Sequence, residues 1–575
     1  MERQKPDTET NEIALYLRTV YSLLRSSGEV RVRAFEEAHS FSNSSLHLGA
    51  RDAEPDVGAF GYAAARLPQC MPRVSRVVLG QSDETFAAFG FATRSWRRVR
   101  TRGRRRLLRW NGADTLAAYV ASTSDIDDLL PILTAYQIEW NKMHELLAAR
   151  APENSDPAAK PVPPAEALGL SDADFARLLE ALGDDSDAAL RELRARRLDL
   201  RVRLLAGSFS AYERAALHWW QGVERAYVRD ATAPRPPVYF VSSNTHALAN
   251  LLGGYALAHR DRLVERARHR TALEFLPELE RTLPDGSPAS PNLLYFALRD
   301  YLQDDAEALA RVQRWDEESG IASADVTAQI DVQAQAVELA RVRPERFDPR
   351  LRMPGVEALA HSDAWIINID YPLGLAAYHL LSRVGQGTGP LLGVYVMGKA
   401  ATLNGQVGDV MISRVVHDEH SDNTYLIRNA FGFDDVAPWL EQGSVLDNQK
   451  AVSVRGAFLQ NPNYMGVFYR EGYTVLEMEA GPYLSAIYEL VDPRRHPNDE
   501  VVQLSERTGF AVGVVHYASD TPYSRRQSLL SKSLGAFGTD STYACAIAIT
   551  RQILAREIER VSQRVPALTE SLRSS

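Results

Sequence analysis

Residues 475–483 read VLEMEAGPY and place two carboxylates, Glu477 and Glu479, around Met478 in an apolar run that stops at Gly-Pro. An ionised carboxylate buried without a partner costs several kcal/mol, so two together point to a site more than to a core. Two other runs carry chemistry at the end of an apolar stretch. GKAATLNGQVGDVMI (398–412) offers the cation Lys399 straight after Gly398, and HYASDTPYS (516–524) offers Ser519 beside Asp520. A carboxylate can hold hydroxyls and tolerate nearby positive charge, an aspartic acid can protonate a leaving group, and a lysine can hold an anion. Each has a plainer reading. Glu-Met-Glu can be a structural hydrogen-bonding element, Asp520 can cap the turn that Ser-Asp-Thr-Pro favours, and Gly408-Asp409 suits a tight connection. His417-Asp418-Glu419-His420 has metal-ligand residue types, but a polar run after a strand reads as solvated loop, and no metal is expected.

These runs need elements to hold them. From residue 11 to about 230, apolar residues recur at helical spacing in EIALYLRTVYSLL, IDDLLPILTAYQIEWNKMHELL and DFARLLEALG, predicting a mainly helical N-terminal domain over 1–230. Within it, SWRRVRTRGRRRLLRW (95–110) reads as a hairpin turning near Arg102-Gly103, and PENSDPAAKPVPPAEA (152–167) reads as a loop. QIEWNKMHELL (137–147) reads as a helix with a partly buried interdomain or subunit face.

The character changes near residue 236. PPVYFVSSNTHALANLLGGYA is a strand, a Ser-Ser-Asn-Thr loop and a capped helix, in which Ser243 and Asn244 open a helix whose free N–H groups could hold an anion. Strand-like runs follow, several leading directly into helices. One is IDYPLGLAAYHLL (369–381), where Gly374 allows close approach of a ligand. This alternation predicts an α/β domain over 236–562 with a mixed sheet whose strand ends gather loop residues at one edge. A closing helix is expected with its cap near Asp540 or Ser541.

Taken in order, GKAATLNGQVGDVMI, EMEAGPY and HYASDTPYS resemble the strand-end motifs of the nucleoside phosphorylase and nucleosidase superfamily, and the helical N-terminal addition is similar to that of the AMP nucleosidase branch. The resemblance covers roughly 236–562. It implies a nucleoside phosphorylase-like three-layer α/β domain that cleaves the N-glycosidic bond of a purine nucleoside or nucleotide. Glu479 would accept hydrogen bonds from the 2′ and 3′ hydroxyls, Met478 would pack on the sugar, and Asp520, oriented by Ser519, would act as acid at the base. Glu477 is the second choice for the sugar. Phe458, or Tyr464 after it, falls where the family stacks an aromatic on the base, although either suits a core equally well. Departures bear on the nucleophile. The family's phosphate loop is replaced by Ser242-Ser243-Asn244-Thr245, its arginine by Val396, its hydroxyl by Lys399, and the last glycine of its Gly-x-x-Gly by Ala401. Water is therefore at least as good a nucleophile as phosphate. No cofactor is expected, and inorganic phosphate stands only as an optional co-substrate. A homo-oligomer follows from the resemblance.

The bulk numbers are compatible with this. The chain has 575 residues, 45% hydrophobic and 24% charged, and a formal net charge of −9 that argues against a surface built wholly for nucleic acid. Cys70 and Cys545 cannot build a disulfide framework. No run approaches the roughly 18 apolar residues of a membrane span, so a cytoplasmic protein without membrane partners is expected. Two competing classes remain: a nucleotide sensor that binds without turnover, and a nucleic-acid adaptor using the nine arginines between Arg94 and Arg109. For those arginines, pairing with the chain's own acidic surface or with a partner subunit is slightly favoured.

Overall fold

The computed structural model describes residues 6, 12–26, 28–103, 106–149, 163–228, 230, 232–269, 276–282, 289–303, 305–326, 330–521 and 535–574. The expected 152–167 loop falls largely outside them, and its end forms a short helix, Pro164–Leu168.

Helices dominate the N-terminal part, as their apolar spacing requires, but they pack on a sheet. Six strands run in the order 30–31, 201–204, 76–80, 115–119, 108–110, 97–99. The 95–110 hairpin supplies its outer pair, with Arg97 opposite Trp110 and Val99 opposite Leu108. The strands Arg76–Gly80 and Thr115–Tyr119 are almost wholly buried, so they show none of the in-out alternation of a half-exposed strand. The 27-residue helix Thr123–Ala149 covers this sheet and buries Trp140 completely.

Beyond residue 236 an eleven-stranded mixed sheet forms. Strands Val238–Ser242, Trp365–Ile369, Leu391–Thr402 and Ala511–Asp520 run parallel to their neighbours in this group. Their carboxyl ends therefore share one edge. Strand 511–520 also pairs antiparallel with Val410–Asp418, which leads through Val445–Ser453 and Tyr473–Glu477 back to the end of 391–402. These five strands close into a ring. Side chains alternate between two helical layers: Tyr239 and Val241 face the layer of helix Thr245–Gly253 and the long C-terminal helix, whereas Val238 and Phe240 face helices Phe209–Tyr227, Ala376–Gly387 and Ala480–Val491. The three-layer α/β architecture is the one expected.

Three local details depart from expectation. Helix 209–227 precedes the anticipated boundary, yet its Trp219, Trp220 and Val223 lie in the core of the second part. Phe458 and Leu459 do the reverse and sit in the core of the first. The final helix starts at Gly535, ahead of the expected cap, and Asp540 instead accepts the Glu441 and Gln442 N–H groups at 3.0 and 2.8 Å.

Candidate functional site

The parallel strand ends bring two of the expected groups together. Gly398 pairs with His516, Lys399 with Tyr517, and Ala401 with Asp520. A register shift between Ala400 and Ala401 takes the pairing from Ala518 to Asp520, which places Asp520 two residues beyond Lys399 on the neighbouring strand. Lys399 is exposed. Ser519 Oγ donates to Asp520 Oδ2 at 2.9 Å. Burial raises the Asp520 carboxyl above the usual aspartate range, and Ser519, Arg66 and Lys399 restrain that rise. Arg66 comes from the N-terminal part, its guanidinium carbon 3.4 Å from the centre of the Tyr62 ring.

The paired glutamates divide their work. Glu477 ends strand 473–477, and its Oε2 accepts the N–H groups of Glu479 and Ala480, each at 2.7 Å, while Ser453 Oγ donates to its other oxygen. The first amides of a helix have no partner within it, so a buried carboxylate at this place caps helix 480–491. Desolvation outweighs these donors and lifts its pKa to about 7. Glu479, partly exposed at the N-cap of the same helix, lies close to Tyr483, whose hydroxyl is beside Ser242 at the end of the first strand. Met478 packs on a small cluster containing Val452, Tyr464 and Leu476.

Behind them sits a residue to which sequence reasoning gave no role. His516 is fully buried, neither ring nitrogen has a hydrogen-bond partner, and Nε2 lies 3.7 Å from Glu477 Oε2. Burial lowers its pKa to about 4, so the contact is one of a neutral imidazole, too long for a hydrogen bond. A histidine inside the apolar run FAVGVVHYA is its only sequence signal.

Four expected ligand contacts are otherwise engaged. Ser243 is buried and donates to Asn368 Oδ1 at 2.8 Å. Asn244 caps helix 245–253 by accepting from Ala247 N–H at 2.7 Å, so its side chain serves the helix start in place of an anion. Phe458 is 3% exposed and packs against His39, His47 and Tyr62 with ring centres 5.1–6.4 Å away, leaving no face for a base. Gly374 does permit a close approach, but by protein. At φ 52° an added Cβ would stand 2.3 Å from Ser124 Oγ.

Ser124 belongs to a seam between the two parts. Its Oγ is 3.0 Å from His420 Nε2, and His420 Nδ1 is 2.8 Å from Asp418 Oδ1. The order matches a serine-hydrolase relay. Yet Ser124 is wholly buried and accepts the Leu375 N–H at 2.9 Å, so no acyl group reaches it and the relay acts as a clasp. The 417–420 run is accordingly buried structure, not solvated loop: His417 bonds Thr424, and Glu419 accepts the Arg455 N–H. Arg455 itself pairs with buried Asp127 at 2.9 Å. Among the described residues no group of three or more such side chains is arranged for a metal.

The arginine strip is spent largely within the chain. Arg106 is buried against Asp125 and Asp128 at 2.9 and 3.0 Å, Arg94 pairs with Glu84, and Arg98 pairs with Asp331. Arg104 and Arg105 lie outside the described residues. Among those described, no helix is long and apolar enough to cross a membrane.

The fold is thus a mixed α/β sheet with polar and charged groups gathered at the carboxyl ends of its parallel strands. The chain belongs to the Family of unknown function (DUF6909), which matches residues 32–555. No curated protein matches it. Similar solved structures include the 5′-methylthioadenosine nucleosidase of Arabidopsis thaliana, 10% identical, covering 57% of this chain and 97% of that one with a TM-score of 0.28. The S-adenosylhomocysteine nucleosidase of Streptococcus pyogenes is 9% identical, covering 57% and 99%, with a TM-score of 0.28. A uridine phosphorylase isoform of Schistosoma mansoni is 12% identical, covering 32% and 71%, with a TM-score of 0.23. No residue role follows from overlaps this shallow.

Proposed function

We propose that the chain cleaves the N-glycosidic bond of a purine nucleoside or nucleotide at the carboxyl ends of strands 391–402 and 511–520. The observation that carries this reading is that Lys399 and Asp520 interact electrostatically at the ends of adjacent strands, with the Met478-Glu479 turn fixed at the same edge by the Glu477 cap. Departure of a base leaves an oxocarbenium-like sugar and negative charge on the leaving group. Asp520, its pKa raised by burial, suits the acid that neutralises that charge, and Glu479 suits the carboxylate that holds the sugar hydroxyls. Lys399 is the group available to a substrate phosphate or to inorganic phosphate. The motif resemblance supports the same assignment, and the loss of the family's phosphate loop favours water as nucleophile. A homo-oligomer belongs to this reading.

A specific observation favours a second reading, a sensor that binds without turnover. Ser243, Asn244, Phe458 and Gly374, all expected at the ligand, are occupied by the protein itself. Incubating the full chain with adenosine, inosine, guanosine and their 5′-monophosphates, with and without phosphate, separates the two. Release of free base, lost in Asp520→Asn, is expected for the enzyme. Saturable binding with no base released establishes the sensor, and neither binding nor release removes both.

A further inference from the structure

Away from these strand ends, the outer helical layer carries a surface hollow of about 450 Å³ between helices 209–227, 376–387 and 480–491. That volume lies within the range of small-molecule sites. Its aromatic lining has one unusual member: Phe209, the first residue of its helix, is 57% exposed although a phenyl ring gains by burial. The ring stands 5.2 Å from His379 and 6.4 Å from Tyr378, centre to centre, and a flat ligand can lie against it. His379 is buried among these rings and its pKa falls to about 4, chiefly by desolvation, so it adds no charge near neutral pH.

The ionised groups set the sign. Arg383 is matched by Glu213 at 3.6 Å. That leaves Glu489, whose Oε2 accepts the Tyr378 hydroxyl at 2.5 Å and whose Oε1 meets His496 Nδ1 at 2.9 Å. The His496 side chain is 71% exposed, so it can swing into water and leave Oε1 to another donor. A carboxylate beside phenyl and phenol rings is suited to a cation that carries a flat apolar body, because the ring faces and the carboxylate both attract positive charge.

We infer that this hollow is a second binding site, separate from the proposed glycosidic site, for a small aromatic cation whose ring stacks on Phe209 and whose ammonium group meets Glu489. Isothermal titration of the full chain with tryptamine, and separately with indole-3-propionate, tests it. Tryptamine saturates one site per chain, and the carboxylate analogue, alike in ring and opposite in charge, binds at least tenfold more weakly. Phe209→Ala and Glu489→Gln each weaken tryptamine by roughly tenfold, as loss of a ring contact or a charge partner would. Phe209 lies at the surface, so its variant should keep the parent melting temperature. Equal binding of the two probes, no saturation by about 10 mM tryptamine, or an affinity unmoved by both variants overturns the inference.

Discussion

The Glu477 cap makes stability depend on pH in a direction opposite to that of an ordinary paired carboxylate. Its pKa rises to about 7 in the folded chain from a model-peptide value of 4.5 because burial outweighs the two amides and the Ser453 hydroxyl. The folded state therefore holds this proton more tightly than the unfolded state. Its stabilising share is complete below about pH 4.5 and is lost as pH rises through about 7. At 1.36 kcal/mol per pH unit, keeping Glu477 ionised at alkaline pH costs about 3 kcal/mol. Glu477→Gln is neutral throughout, and its amide oxygen can still accept the Glu479 and Ala480 N–H groups while its NH2 turns toward Ser453 Oγ. The expected result is a variant that matches or falls slightly below the parent near pH 5 and gains on it steadily to pH 8.5. Unfolding by urea at half-unit pH steps, followed by tryptophan fluorescence and far-ultraviolet dichroism together, measures the difference between the two curves. Because so long a chain can unfold in steps, the comparison belongs to whichever transition both probes share. Parallel curves across pH 5 to 8.5 would refute the account of Glu477 as a carboxylate whose desolvation exceeds its hydrogen bonding.

Phe458→Ala should cost about 3–5 kcal/mol, the usual toll of emptying a buried aromatic position, with purine binding unchanged; weakened purine binding at full stability would restore its stacking role. Arg106→Ala strands Asp125 and Asp128 in a buried setting and should cost about 3–5 kcal/mol by chemical denaturation, whereas a surface arginine serving only nucleic acid would cost almost nothing. Asp520→Asn should lower any base-releasing activity by about 10²- to 10⁴-fold with melting temperature held, as expected for loss of a general acid. Unaltered activity there would leave Asp520 as a turn residue.

Much of the second part was legible because its strands end in Gly, Ser or Asp and lead into helices, a pattern that local residue types impose. Of the six-stranded sheet of the first part, only the outer hairpin at 95–110 was. The sheet's strands are two to five residues long, and Thr115–Tyr119 is buried on every side, so no alternation marks it. Spacing alone placed Glu477 and Glu479 on one face but could not say which caps the next helix, since that depends on where the helix begins. Asp520 and Lys399 could be placed at strand ends, and the register then set them two residues apart across adjacent strands. Ser124 and His420 are 296 residues apart, and no local pattern announces such a meeting. The same holds for Phe458, whose apolar character fits a base and a core equally well until its neighbours are known.

The two parts exchange pieces, helix 209–227 going to the second core and Phe458-Leu459 to the first. A gene cut near codon 230 would therefore yield two products with complementary defects. One would carry an orphaned helix bearing Trp219 and Trp220, and the other a sheet face stripped of its cover. Either alone would be prone to aggregate, while co-expression could let the fragments find each other. For anyone dividing this chain, a break near residue 206, ahead of that helix, leaves the helical layer of the second part whole.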